Sequence, residues 1–206
     1  RLSLTDKTLV VFCSDNGPVM DDGYEDGALE KVGKHRAGGE STGGKYSVYE
    51  GGTRTPFITR WKGRIKPGVS DQVVCTVDLA ASVAALTGQS IPDDACLDSF
   101  NVLGALLGET NASGRDHLVQ QDNGSNGTFG LRSGPWKLHR YKKKTARNVV
   151  VEKQLANTKV PEFQLFNLDH DPAEKTNVIK QHPDVAARLK QQLADIIAQG
   201  RSRSGK

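Results

Sequence analysis

Cysteine, methionine and aromatic side chains are all scarce in this chain. The three cysteines, Cys13, Cys75 and Cys96, form an odd set with no CxxC spacing and no neighbouring histidines, which argues against a disulfide framework and against a zinc site. Cys13 and Cys75 lie in apolar runs and read as small buried hydrophobes. No apolar stretch approaches the roughly 20 residues a bilayer requires, so no membrane partner is expected. Arg1 opens the chain without an initiator Met, a basic-then-apolar leader or a cleavage site. The residues therefore assign no compartment, and the start suggests that an upstream segment has been removed. No repeat of 20 to 50 residues is visible.

What is present is globular in character. The 206 residues are 36% apolar and 25% charged, enough for one sizeable core or two small ones. The 22 glycines and mean hydropathy of -0.51 point to a loop-rich, soluble chain. Lys and Arg number 28 against 24 Asp and Glu, a net charge of +4. The excess clusters at Lys142-Lys143-Lys144 and from Arg201 to Lys206. Such runs read as solvated faces, and no nucleic-acid partner is expected.

Thr8 to Cys13 (TLVVFC) is short, apolar and rich in β-branched residues, the pattern of a strand buried on both faces of a parallel sheet. Ser14-Asp15-Asn16-Gly17-Pro18 stops it with a turn, and the polar, Gly-rich stretch to Gly44 reads as a long loop with one helical turn near Leu29. Thr55–Trp61 and Gln72–Val77 read as further strands, and Asp78 as the cap of a helix running to Thr87. Leu103–Leu107 is another short helix. After Asn111–Gly114 the pattern changes to antiparallel strands at His117–Gln121, Thr128–Arg132, Trp136–Tyr141 and Phe163–Leu168. A closing helix from Pro183 to Gly200 carries Val185, Leu189, Leu193, Ile196 and Ile197 on one face. The expected fold class is α/β in residues 1–110, followed in residues 111–206 by a small antiparallel β-sheet with one packed helix.

Three places could carry chemistry. Asp15 and Asn16 follow a buried strand, where α/β sheets place their ligands, and offer hard oxygens suited to Ca²⁺ or Mg²⁺; an Asx turn would use the same residues. Gly39 to Lys45 has the spacing of a phosphate loop, but Tyr46 stands where Ser or Thr would hold Mg²⁺ and no strand precedes it. The weaker reading, a Lys45 ammonium on a Gly-rich loop approaching a tetrahedral anion, stands beside that of a plain surface lysine. In Glu50-Gly51-Gly52-Thr53-Arg54 the Glu and Arg are expected to form a structural ion pair across a tight turn or to brace the loops beside the anion. His35, in the long loop, is a candidate substrate contact; His117, His139, His170 and His182 read as surface or capping residues. Asn111, Asn123 and Asn126 are glycosylation acceptors only in a secretory context.

SDNG after the first strand, then GGKYSVYEGGTRTPF, DLAASVAALTG, GLRSGPWKL and FNLDHDPAEKTNV together resemble the C-terminal half of a formylglycine-dependent, arylsulfatase-like sulfatase. The blocks run in order from about Leu4 to Gly200. The resemblance implies an alkaline phosphatase-like sheet sandwich, of which residues 1–110 would form the C-terminal part of the catalytic domain and residues 111–206 the small C-terminal subdomain. It implies that Asp15 and Asn16 are ligands of a catalytic Ca²⁺ completed from outside this chain. Lys45 would contact the sulfate, neutralising charge as the ester oxygen departs.

The family's nucleophile, a formylglycine made from Cys or Ser in C/S-x-P-x-R, is absent here: Ser133-Gly134-Pro135-Trp136-Lys137 comes nearest, with Lys for Arg. The chain therefore reads as a sulfatase fragment, inactive by itself, whose partners are a sulfate-ester small molecule or sulfated glycan and the missing N-terminal half. It would expose an apolar edge at Thr8–Cys13 and self-associate. A periplasmic or secreted location follows from the resemblance alone. The rival readings are a phosphate or phosphonate ester hydrolase of the same superfamily and a non-catalytic anion-binding module.

Overall fold

A computed structural model describes residues 2–123, 127–142 and 159–204. Lys143 and Lys144 of the basic run, the acceptor Asn126, and Arg1, Gly205 and Lys206 lie outside the described residues. The chain divides into two compact units, each assembled from separated stretches: residues 1–14, 56–118 and 194–206 form the first, and 15–55 and 119–193 the second.

In the first unit, β1 (Val10–Cys13) pairs antiparallel with β2 (Phe57–Arg60), placing Phe12 opposite Ile58. This corrects the expectation of a parallel strand buried on both faces: β1 alternates, with Val10 and Phe12 exposed. Its neighbours cover one face only. Gln72–Val77 does not join a sheet; the Val73 carbonyl instead accepts the Arg115 N–H at 2.8 Å. Cys13 and Cys75 are half-buried rather than buried, Cys96 is exposed, and all three are free thiols.

The first unit's helices are α3 (Asp78–Leu86) and α4 (Leu103–Leu107). Asp78 does not cap α3 in the expected way. Its fully buried carboxylate accepts the N–H groups of Cys75 (2.8 Å) and Phe100 (2.9 Å) and pairs with Arg115 at 2.8 Å. The Arg115 guanidinium lies over the Phe100 ring, 4.3 Å from its centroid, and also bonds the Asp98 carbonyl. A charge this far from water is retained because its donors are almost all occupied.

β3 (His117–Gln121), β4 (Phe129–Ser133), β5 (Trp136–Arg140) and β6 (Phe163–Asn167) form a sheet in that order, all of it in the second unit but for the first two residues of β3. The β4–β5 hairpin closes on the two residues Gly134-Pro135, with Gly134 at φ 57° supplying the positive φ that such a turn requires. Register aligns Leu131, Leu138 and Leu165, all fully buried, on one face. The alternate positions, Lys137 beside Phe166 and His139 beside Gln164, point to the opposite face because successive strand residues alternate.

Helix α5 (Pro183–Gln199) buries Ala186, Leu189 and Leu193. At its start His182 packs on the Trp136 ring at 4.7 Å, and Lys190 sits over the Phe163 ring at 4.3 Å. Two short helices precede the sheet in this unit, α1 (Ala28–Lys31) and α2 (Glu50–Thr53). The first is the single turn expected near Leu29; the second stands where the glycine pair Gly51-Gly52 leads one to expect a tight turn.

Candidate anion and metal site

The stretches Asp15–Pro18, Thr42–Lys45 and Glu50–Thr53 are joined through their backbones. Gly17 N–H donates to the Gly52 carbonyl, Lys45 N–H to the Pro18 carbonyl and Gly51 N–H to the Thr42 carbonyl, each at 2.9 Å. The glycines are what allow this approach. A Cβ on Gly17 would stand 1.9 Å from the Gly51 oxygen, and one on Gly52 would stand 2.3 Å from the Gly44 oxygen. The neighbour in both cases is backbone, which has no rotamer by which to yield.

On this frame Asp15 is exposed, while Asn16 and Lys45 are half-buried. Asn16 Nδ2 donates to the Gly17 carbonyl at 2.9 Å, which makes the amide oxygen the atom suited to a cation. After Lys45 the chain turns through Tyr46 at φ 77°, a costly conformation for a bulky side chain. Tyr46 Oη holds that turn by donating to Asp22 at 3.2 Å, and the Lys45 ammonium lies 5.2 Å from the Tyr46 ring centroid. Strain beside a candidate site is the usual mark of a loop held for its geometry.

Among the described residues, no group of three or more His, Cys, Asp and Glu is placed to hold a metal ion. The Asp15 carboxylate and Asn16 amide nonetheless fit a hard cation as two of its oxygen donors, leaving most of a Ca²⁺ shell to other ligands. His35 is exposed just after α1 and, among the described residues, no hydrogen bond or ion pair ties its imidazole to these loops.

Behind α2 lies a cluster that the sequence did not reveal. Glu50 is buried, and its Oε1 lies 2.7 Å from Lys137 Nζ, whereas Arg54 is largely exposed and 4.0 Å from Oε2. The expected Glu50–Arg54 pair is present but long, and a buried partner from β5 holds the other carboxylate oxygen more closely. Glu174 lies 3.5 Å from the same ammonium and accepts the Glu50 N–H at 2.5 Å. His139, expected at the surface, is buried with Nε2 3.0 Å from Glu174 Oε1, though neither atom makes an aligned hydrogen bond. Tyr49 packs edge-on against His139 at 4.5 Å, and its hydroxyl accepts from Gln164 at 3.2 Å.

Burial sets the protonation states in opposite ways. It pushes the His139 pKa down, against the pull of Glu174, so the imidazole is neutral near pH 7. It acts to raise Glu174, but His139, the Lys137 ammonium and the Glu50 N–H outweigh it and hold the carboxyl below its ordinary value. Burial also raises the Tyr49 phenol. The alternation WKLHR in β5 gives no signal of this cluster, since Lys137 and His139 on one side and Leu138 on the other read as a strand with one face in water.

The family model described as Sulfatase matches residues 1–89. An N-acetylgalactosamine-6-O-sulfatase of Bacteroides thetaiotaomicron is 43% identical over 95% of this chain, which spans 37% of that relative. Arylsulfatase A of Homo sapiens is 31% identical over 92% of this chain and 38% of its own length. A solved Bacteroides thetaiotaomicron structure from work on metabolism of multiple glycosaminoglycans superposes with a TM-score of 0.83 at 42% identity, covering 95% of this chain and 40% of that one. The chain thus spans less than two fifths of the curated relatives named here. With the alkaline phosphatase-like α/β fold shared with these structures, the chain belongs to the sulfatase family.

Proposed function

We propose that this chain supplies part of the metal and anion site of a sulfuric ester hydrolase. The observation that carries the reading is the backbone junction that joins the Asp15-Asn16 turn and the Gly43–Lys45 loop through α2. Asp15 and Asn16 would hold one side of the cation, and the Lys45 ammonium would donate to sulfate oxygens. When bound, Ca²⁺ would act as Lewis acid and template for the sulfate group. The nucleophile, a formylglycine, would come from sequence outside these residues.

Sulfated amino sugars are the substrate class we favour, because one relative is named an N-acetylgalactosamine-6-O-sulfatase and is 43% identical. A periplasmic or secreted location is consistent with that use, and among the described residues no helix is long and apolar enough to cross a membrane. We place the division between the catalytic α/β part and the small C-terminal subdomain near residue 110, since all four strands of the larger sheet follow it.

Turnover by the full-length protein of paired aryl sulfate and aryl phosphate substrates tests the reading. Sulfate hydrolysis that is lost on chelation and weakened by Asp15→Ala supports it. A preference for the phosphate would transfer the site to the phosphoesterase reading, and anion binding without turnover would leave a binding module.

A further inference from the structure

Of the sequence block FNLDHDPAEKTNV only Glu174 has a place so far, in the buried cluster behind α2, yet the whole turn around it reaches the site's loops from behind. The Asp171 carboxylate accepts the N–H groups of Lys175 (3.0 Å) and Thr176 (2.7 Å), closing the turn. Within it Glu174 adopts φ 55°, in the left-handed region that a non-glycine residue enters at a cost. That conformation accompanies a fully buried side chain which takes the Glu50 N–H at the start of α2. On either side of Glu174, the Ala173 carbonyl accepts the Thr42 hydroxyl at 2.6 Å and the Lys175 ammonium donates to Thr42 Oγ1 at 3.0 Å.

Thr42 immediately precedes Gly43-Gly44-Lys45, and its carbonyl takes the Gly51 N–H. One turn therefore holds both the start of the candidate anion loop and the helix against which the Asp15-Asn16 turn is bonded. We infer that the Asp171–Thr176 turn is a clasp that fixes the relative placement of the cation and anion loops, with Glu174 and Thr42 as positioning residues. The inference rests on the sulfate-site reading for its functional meaning. Lys137 and His139 supply the buried counter-charge and contact that keep the Glu174 carboxylate inside the fold. The other charged group at this point is Glu50, itself paired with Lys137.

Amide hydrogen exchange followed by NMR, on the wild-type chain and on Thr42→Val and Glu174→Gln, tests this. The Lys45, Gly17 and Gly51 amides are expected to exchange about tenfold faster in both variants, while amides of the β4–β5 ladder keep their rates. Loop amides at wild-type rates would overturn the clasp. So would loop and ladder accelerating together, because that is what plain support of the core would do. Thr42→Val removes only a hydroxyl from a part-buried position, and it decides the matter by the same criteria if Glu174→Gln does not fold. In the full-length protein, added Ca²⁺ and sulfate should shift the Asn16, Gly44 and Lys45 amides. If they shift none, the sulfate-site reading falls, while faster loop exchange in Thr42→Val would still identify the clasp.

Discussion

Lys137 Nζ lies 2.7 Å from Glu50 Oε1 with both side chains withdrawn from water, so a strand of the sheet grips the first residue of α2 by charge. The ammonium also faces Glu174 at 3.5 Å. Removing it leaves two carboxylates buried together without their cation. We expect Lys137→Met to destabilise the protein by about 3 to 5 kcal/mol in urea unfolding. Adding Glu50→Gln should recover part of the loss. A single-variant cost under about 1 kcal/mol would show that water reaches the cluster.

Acid should loosen the same cluster. Burial lowers the His139 pKa, so the unfolded chain binds that proton more readily than the folded one; stability is full above about pH 6.5 and falls as pH drops through it. Glu174 is also held low, so its contribution is present above the ordinary carboxylate value near about 4.3 and is lost on further acidification. The two effects share a sign. The urea midpoint should stay level from pH 8 to about pH 6.5 and decline below it toward about pH 4, and His139→Gln should flatten the upper part of that slope. A midpoint constant over the range would contradict both assignments.

Gly17→Ala places a methyl 1.9 Å from the Gly51 oxygen, and the backbone must move to admit it. A loss of about 1 to 3 kcal/mol is expected, the usual cost of overpacking. Gly38→Ala, whose methyl would meet Pro18 at an ordinary 3.7 Å, serves as the control and should melt near the wild-type temperature. Equal melting temperatures for the two variants would refute the close-packed junction.

Phe12 and Ile58 are opposite one another across β1 and β2, and they are 63% and 58% exposed. Two large apolar side chains side by side on a short two-stranded ribbon invite association. The 206-residue chain should sediment as a concentration-dependent oligomer, and Phe12→Thr with Ile58→Lys should shift it toward monomer. A wild-type monomer at every concentration would disprove this.

Most elements of the second unit were legible because their signals are local. The strands at Trp136 and Phe163 alternate, Gly134-Pro135 marks a turn, and Pro183 with a 3.6-residue apolar face marks α5. The strand misread at Gln72–Val77 failed because β-branched composition does not by itself find a pairing partner. Asp15, Asn16 and Lys45 stood out by type and by the glycines beside them. Glu50, Lys137, His139 and Glu174 did not, since their spacings of 87 and 124 residues are bridged only by the fold. A charged residue in a strand looks the same in sequence whether its face meets water or another layer.

Turnover of an aryl sulfate by the full-length protein and its Lys45→Ala variant tests the central claim most directly. If the ammonium sits on the sulfate as charge develops there, kcat should fall by about a hundredfold or more, as for loss of one preorganised donor, with the fold unchanged by circular dichroism. A Lys45→Ala enzyme that keeps kcat within about threefold would remove Lys45 from the reacting group and the anion site with it.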